Sequence, residues 1–137
     1  PGGGVALLNA AMNLDITKLG FDAEANDELT GARIVLRSLE EPLRQLSENA
    51  GLEGSVVVNK TREAQTGWGV DFSAAGMTMI DLVGQGIIDP AMVTRSALQN
   101  AASIAKNILV TEAVVVEAPE KGGAPAMPDM GGMGGMM

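Results

Sequence analysis

Residues 86–103 read GIIDPAMVTRSALQNAAS, and they carry the clearest structural signal in the chain. Asp89 and Pro90 are typical of a helix start, a carboxylate that can cap the helix followed by a residue suited to its first turn. Apolar side chains then recur at helical spacing as far as Ile108. The pattern predicts a long helix, capped by Asp89, whose alanine-rich inner side lets it approach a neighbouring helix closely.

The chain before this helix is also predicted to be mainly helical. The glycines at 2–4 lead into a first helix, because apolar residues recur at helical spacing after them. A longer apolar stripe covers 29–46, with Asn26 as its N-cap and Gly51 as the residue that ends it. Pro42 lies inside this stripe and predicts a kink, since proline removes one backbone donor.

Four further segments are predicted to be short elements or a loop. Residues 55–59 and 110–117 are rich in β-branched side chains and are predicted to be short strands. Residues 68–73 are predicted to form a loop or one arm of a hairpin, and 77–83 a short helix. The remaining segment, 120–137, is rich in glycine and methionine, cannot build a core, and is predicted to be a flexible tail behind a domain covering 1–119.

Composition excludes several classes of function. The chain has 137 residues, a net charge of −8, 46% hydrophobic residues and 2% aromatic residues, with neither His nor Cys. Disulfides, zinc sites and imidazole or thiol catalysis are therefore excluded, and a nucleic-acid surface is not expected. No apolar run is long enough for a membrane span and no signal peptide opens the chain, so a soluble intracellular protein is expected. Because Pro1 and three glycines open the chain, we expect sequence upstream of it.

Six segments in the same order resemble the group I chaperonins, the GroEL family, across nearly the whole chain. They are 1–7 (PGGGVAL), 41–45 (EPLRQ), 86–90 (GIIDP), 93–103 (VTRSALQNAAS), 111–115 (TEAVV) and the Gly-Gly-Met tail.

The resemblance implies a mainly α fold, the incomplete helical bundle of a chaperonin equatorial domain with short β-strands. It implies a parent subunit that assembles into a homo-oligomeric double ring, takes a co-chaperonin lid and encloses unfolded protein substrates in the cytoplasm. It also implies ATP, Mg²⁺ and K⁺ as cofactors. The family's phosphate loop, its Mg²⁺-binding Asp and its water-orienting Asp would lie upstream of Pro1, so this chain would hold no catalytic or metal-binding residue.

The resemblance places Gly2, Gly3 and Asp89 at the nucleotide, with Gly3 lining the pocket and Asp89 near the sugar. From the residues alone, the glycines are more often a plain structural turn, and Asp89 more often a helix cap.

Asp71, Phe72 and Ser73 occupy the place of a family segment near the adenine and ribose. Phe72 replaces a small residue there, and the spacing to Asp89 is slightly longer than is common. An exposed loop with one aromatic side chain in the core is an equally good reading of these three residues.

The resemblance also places Arg44, Glu53, Ser55 and Val56 at the contact between rings, although an ordinary solvated ion pair is the usual reading of such charges. It implies that the strand at 110–117 pairs with a neighbouring subunit, and that the tail projects into the base of the chamber.

Two other classes of function stay open from the sequence. One is a non-catalytic interaction or scaffold module that has lost nucleotide binding, and the other is a small nucleotide-dependent transferase. The second has little support, because no His, Cys or Walker lysine supplies its chemistry.

Overall fold

The computed structural model describes residues 1–21, 26–74 and 76–118. Within these ranges the chain is mainly helical, as predicted, with one short two-stranded sheet. Its elements are α1 (Val5–Asn13), a 3₁₀ turn (Ile16–Lys18), α2 (Asn26–Ser38), α3 (Glu41–Asn49), α4 (Gly54–Glu63), β1 (Trp68–Val70), β2 (Met79–Asp81) and α5 (Ala91–Leu109).

The apolar stripe at 29–46 forms two helices, and not the single kinked helix that we predicted. Helix α2 ends at Ser38 and α3 begins at Glu41, so Pro42 lies in the first turn of α3. Proline is harmless there, because the amide it lacks would have no partner within the helix. In a continuous helix, the Ser38 carbonyl would have lost that donor and met the proline ring.

The end of α3 was predicted correctly. Gly51 has a φ of 76°, a left-handed conformation that other residues adopt only at a cost. Its amide donates to the Glu48 carbonyl at 2.9 Å, and the Leu52 amide donates to the Ser47 carbonyl at 2.9 Å. This pair of bonds is a Schellman motif, which turns the chain from α3 into α4.

The predicted strand at 55–59 is wrong, since these residues belong to α4. Val57, Val58 and Thr61 fall on one helical face and are buried, so tertiary burial outweighs the β preference of valine. A side chain on Gly54 would lie 2.6 Å from Cγ of Arg44. The missing side chain therefore lets α4 pack directly against α3.

Strands β1 and β2 form an antiparallel hairpin that pairs Trp68 with Asp81 and Val70 with Met79. The hairpin arm predicted at 68–73 is confirmed, whereas the helix predicted at 77–83 is wrong. A Cβ on Gly69 would lie 2.7 Å from Cγ2 of Val5. Glycine at this position lets α1 lie against the hairpin, and that contact favours the strand over a helix of few turns.

Helix α5 has nearly the predicted bounds, but none of its side chains is buried. Its alanine side lines an open groove of about 750 Å³ beside α3, and it does not pack closely there.

Residues 110–117 form no strand among the described residues and are exposed, because no strand in the described part of the chain pairs with them. The predicted tail, 120–137, lies outside the described residues.

The core lies where α1, α3, α4 and the hairpin meet. It consists of aliphatic side chains that are at most 3% exposed, namely Val5, Leu8, Leu43, Val57, Val58, Val70 and Leu82. Among the described residues, no helix combines the length and apolar character that crossing a bilayer requires.

Candidate functional site

Three backbone hydrogen bonds position the N-terminal glycines. The Leu82 amide donates to the Gly67 carbonyl at 3.2 Å, and the Ile87 amide donates to the Leu82 carbonyl at 2.8 Å. The Gly2 amide in turn donates to the Ile87 carbonyl at 2.9 Å. The hairpin therefore holds the turn that follows β2, and this turn holds Gly2.

The glycine turn, residues 2–4, needs glycine for two separate reasons. Gly3 and Gly4 have φ values of 63° and 80°, in the region that favours glycine. A Cβ on Gly4 would also lie 2.7 Å from the Leu43 amide nitrogen, closer than a Cβ approaches a non-bonded backbone atom. The turn thus brings the start of α1 directly against the backbone of α3.

Gly2 and Asp89 are neighbours in the fold. A Cβ on Gly2 would lie 3.2 Å from Oδ1 of Asp89 and 3.2 Å from the Ile87 carbonyl oxygen. The predicted capping role of Asp89 is wrong, because Pro90 occupies the N-cap position and no side chain caps α5. The Val93 and Thr94 amides bond to the Pro90 carbonyl, which places Asp89 one residue outside the helix. Its carboxylate is exposed beside the glycine turn.

Phe72 reaches the same turn. Its Cε2 atom would lie 3.8 Å from a Cβ on Gly3, and its ring is half-buried against the core. The ring therefore serves the core, as the alternative interpretation held, and also borders the glycine turn.

Asp71 and Ser73 are bonded to each other. Oδ1 of Asp71 accepts from the Ser73 hydroxyl at 2.6 Å and from the Ser73 amide at 2.9 Å. The hydroxyl bond first, and then the amide bond, lower the pKa of the Asp71 carboxyl below its ordinary value. The two residues flank Phe72 in the chain, and Oδ1 of Asp71 already accepts from two donors.

The chemistry of the site is that of binding. The first turn of α1 presents backbone amides, which suit an anionic or electron-rich ligand group. The Asp89 carboxylate can accept hydrogen bonds from hydroxyl groups. Among the described residues, no three acidic side chains lie close enough together to hold a metal ion. The site can therefore bind a ligand that carries hydroxyl groups, because the glycine turn has no side chains to keep the ligand away.

The four residues assigned to ring contacts lie together at the junction of α3 and α4, which we call the ring-contact cluster. Arg44 pairs with Glu40 at 3.6 Å and with Glu41 at 3.3 Å, rather than with Glu53. Glu53 accepts from the Ser55 hydroxyl at 2.6 Å, and this bond is the main cause that lowers the pKa of the Glu53 carboxyl. Val56 is 42% exposed, so the cluster presents an apolar side chain and charges on the surface.

Sequence reasoning missed Ile87, whose carbonyl anchors Gly2. Any residue type can supply a backbone carbonyl, so the identity of residue 87 does not indicate this contact. Only the closeness of Ile87 to Asp89 in the chain could have indicated it.

The match to a family model covers the whole site. The model of the TCP-1/cpn60 chaperonin family matches residues 1–119, which include the glycine turn, the ring-contact cluster and Asp89. The chain therefore belongs to the TCP-1/cpn60 chaperonin family, a family of chaperones that assemble as oligomers and interact with other polypeptides.

Proposed function

We propose that the chain is the C-terminal half of the equatorial domain of a group I chaperonin subunit, and that it supplies the ribose and base side of an ATP pocket. In this proposal, the parent subunits form a cytoplasmic double ring with a co-chaperonin lid. The chamber encloses unfolded polypeptides, and ATP hydrolysis drives the cycle. The ring-contact cluster joins the two rings, and residues 110–117 add a strand to a neighbouring subunit.

The proposal rests mainly on the closeness of Gly2 to Asp89. A Cβ on Gly2 would fill the space in front of Oδ1 of Asp89, at 3.2 Å. A turn without side chains lets a ligand approach the backbone, and the exposed carboxylate beside it can accept from ribose hydroxyls. Phe72 borders this space and offers the apolar surface on which a base can lie.

Phosphate and metal binding are proposed for residues outside this chain. Mg²⁺ in phosphoryl-transfer sites is held by one or two carboxylates together with substrate phosphates. Following the family resemblance, we assign the ligands of Mg²⁺ and K⁺ to the segment upstream of Pro1. Bound Mg²⁺ would neutralise charge on the phosphates. The residues of this chain would orient the sugar and base.

Substitution of Asp89 tests the site directly. Asp89→Asn keeps the size of the side chain and removes its charge, so affinity for a non-hydrolysable ATP analogue with Mg²⁺ should fall about tenfold. Isothermal titration calorimetry on the chain gives this value. The matched control is Asp81→Asn, which removes an exposed carboxylate at the end of β2 and should change the affinity less than twofold. Equal losses in both variants would contradict the proposed role of Asp89.

Measuring ATP turnover tests whether the residues that hydrolyse ATP lie outside this chain. The chain alone should show no ATP hydrolysis above buffer, because the phosphate loop and the water-orienting carboxylate are proposed to lie outside it. Phosphate release can be followed with the chain purified through two unrelated tags, which exposes any contaminating ATPase. Hydrolysis at the same specific rate in both preparations would contradict this assignment.

A second candidate function is a non-catalytic interaction module. Helix α5 and the segment after it favour this alternative, since Ile104, Ile108 and Val115 are 61%, 62% and 97% exposed. Apolar surface of this extent is typical of a contact surface. The Asp89 titration separates the two functions, because the interaction module predicts no saturable nucleotide binding.

A further inference from the structure

A second concave surface lies on another part of the molecule. It carries positive charge, whereas the candidate nucleotide site carries the negative charge of Asp89. Helices α1, α2, α3 and α4 enclose a cleft of about 580 Å³, within the size range of small-molecule sites. None of its lining residues belongs to the glycine turn, and Asp89 is not among them. We call it the arginine cleft, because its walls carry Arg33, Arg37, Arg44 and Arg62.

The concentration of positive charge here is unusual for this chain. The chain has five arginines and a net charge of −8, yet four of those arginines line a single cleft. Among the described residues that line the cleft, Glu40 is the only acidic one. In this set, four guanidinium groups against one carboxylate leave three positive charges in excess.

The carboxylate of Glu40 is already engaged. It accepts from Arg62 and pairs with Arg44 at 3.6 Å, and its side chain is only 12% exposed. Arg44 also pairs with Glu41 at 3.3 Å. Glu40 in the cleft and Glu41 beside it therefore pair with Arg44 and Arg62, on the α3 and α4 side.

Arg33 and Arg37 are different, because within the described ranges neither forms an ion pair. They lie four residues apart on α2, where like charges face each other and destabilise the helix. Arg37 is in the last turn of α2, and Arg62 in the last turn of α4, where the helix dipole favours positive charge. Arg33 lies in the interior of α2, and the dipole gives no reason for its charge.

From these observations we infer that the arginine cleft binds a small anion carrying two or more phosphate groups. Guanidinium groups bind phosphate oxygens in pairs of parallel hydrogen bonds. Arg33 and Arg37 both line the cleft and lie four residues apart on α2, a spacing that lets two side chains meet at one ligand. The apolar wall formed by Leu8, Leu36 and Val58 lowers the local dielectric, which strengthens these contacts. This inference is independent of the proposed ATP site, which lies in a different part of the fold.

Inorganic pyrophosphate is the probe that tests this inference. Calorimetric titration at about 20 mM salt should give saturable binding to the 137-residue chain, since low ionic strength leaves the charges unscreened. The double variant R33Q/R37Q should bind at least about tenfold more weakly. Arg44 and Ser55 are left unchanged, because they also belong to the ring-contact cluster.

The matched control is K60Q/R95Q, which removes the same two charges from exposed positions outside the cleft. It should weaken binding less than about threefold, through the general field of the chain alone. Far-UV circular dichroism confirms that both variants are folded. Equal losses in the two variants, or no saturable binding by the unchanged chain, would overturn the inference. A parallel titration with ADP in the Asp89→Asn background shows whether the cleft binds phosphate groups that belong to a nucleotide or only free ones.

Discussion

Replacing Gly4 with alanine is expected to lower the free energy of unfolding by about 3–5 kcal/mol. A Cβ at this position would lie 2.7 Å from the Leu43 amide nitrogen and 3.0 Å from its Cα. Both atoms belong to the backbone of α3, so no side-chain rotation can relieve the contact. The left-handed φ of 80° adds a conformational cost of its own. Urea unfolding followed by circular dichroism at 222 nm gives the free energy.

Gly20 is the matched control for this substitution. Its φ is 76°, close to that of Gly4, but no heavy atom lies within 4 Å of the position that a Cβ would take. Gly20→Ala should therefore cost only the backbone term, about 1–2 kcal/mol. The difference between the two variants measures the close approach of α1 to α3. If both variants lose the same stability, that approach has no energetic importance.

The parts of the fold that could be predicted from sequence are those set by local signals. Helix α5 was predicted nearly to its ends, because Asp89, Pro90 and the periodic residues after them are local signals. The end of α3 was predicted from Gly51 for the same reason. Helix α4 was mistaken for a strand, because the local preference of its valines favours β structure. Only contact with α1 and α3 buries Val57 and Val58 on a helical face.

The candidate site follows a similar division. Gly2, Gly3 and Asp89 could be named from the resemblance, and the fold places them side by side. The detailed role of Asp89 could not be predicted, because capping depends on which residue supplies the first helical carbonyl, and that residue is Pro90. The arginine cleft gave no signal in the sequence, since its four arginines come from three helices and only the packing of these helices brings them together.

The second large effect is expected at Leu43, the residue of α3 against which Gly4 packs. Its side chain is fully buried, between α1 and α4 in a core whose buried cluster is aliphatic. Leu43→Ala removes three carbon atoms and leaves a cavity that helices packed through glycine contacts cannot close easily. A loss of about 3–4 kcal/mol in the free energy of unfolding is expected. That is a large part of the stability of an ordinary domain.

Leu46, one turn further along α3, is the control because its side chain is 40% exposed. Leu46→Ala should cost less than about 1 kcal/mol, and urea unfolding of both variants gives the comparison. The double variant G4A/L43A tests the physical reason. The Gly4 contact is with N, Cα and Cβ of residue 43, and alanine keeps all three atoms, so the shorter side chain should not rescue G4A. Recovery of stability in the double variant would instead mean that the leucine side chain, rather than the approach of two backbones, makes glycine necessary at position 4.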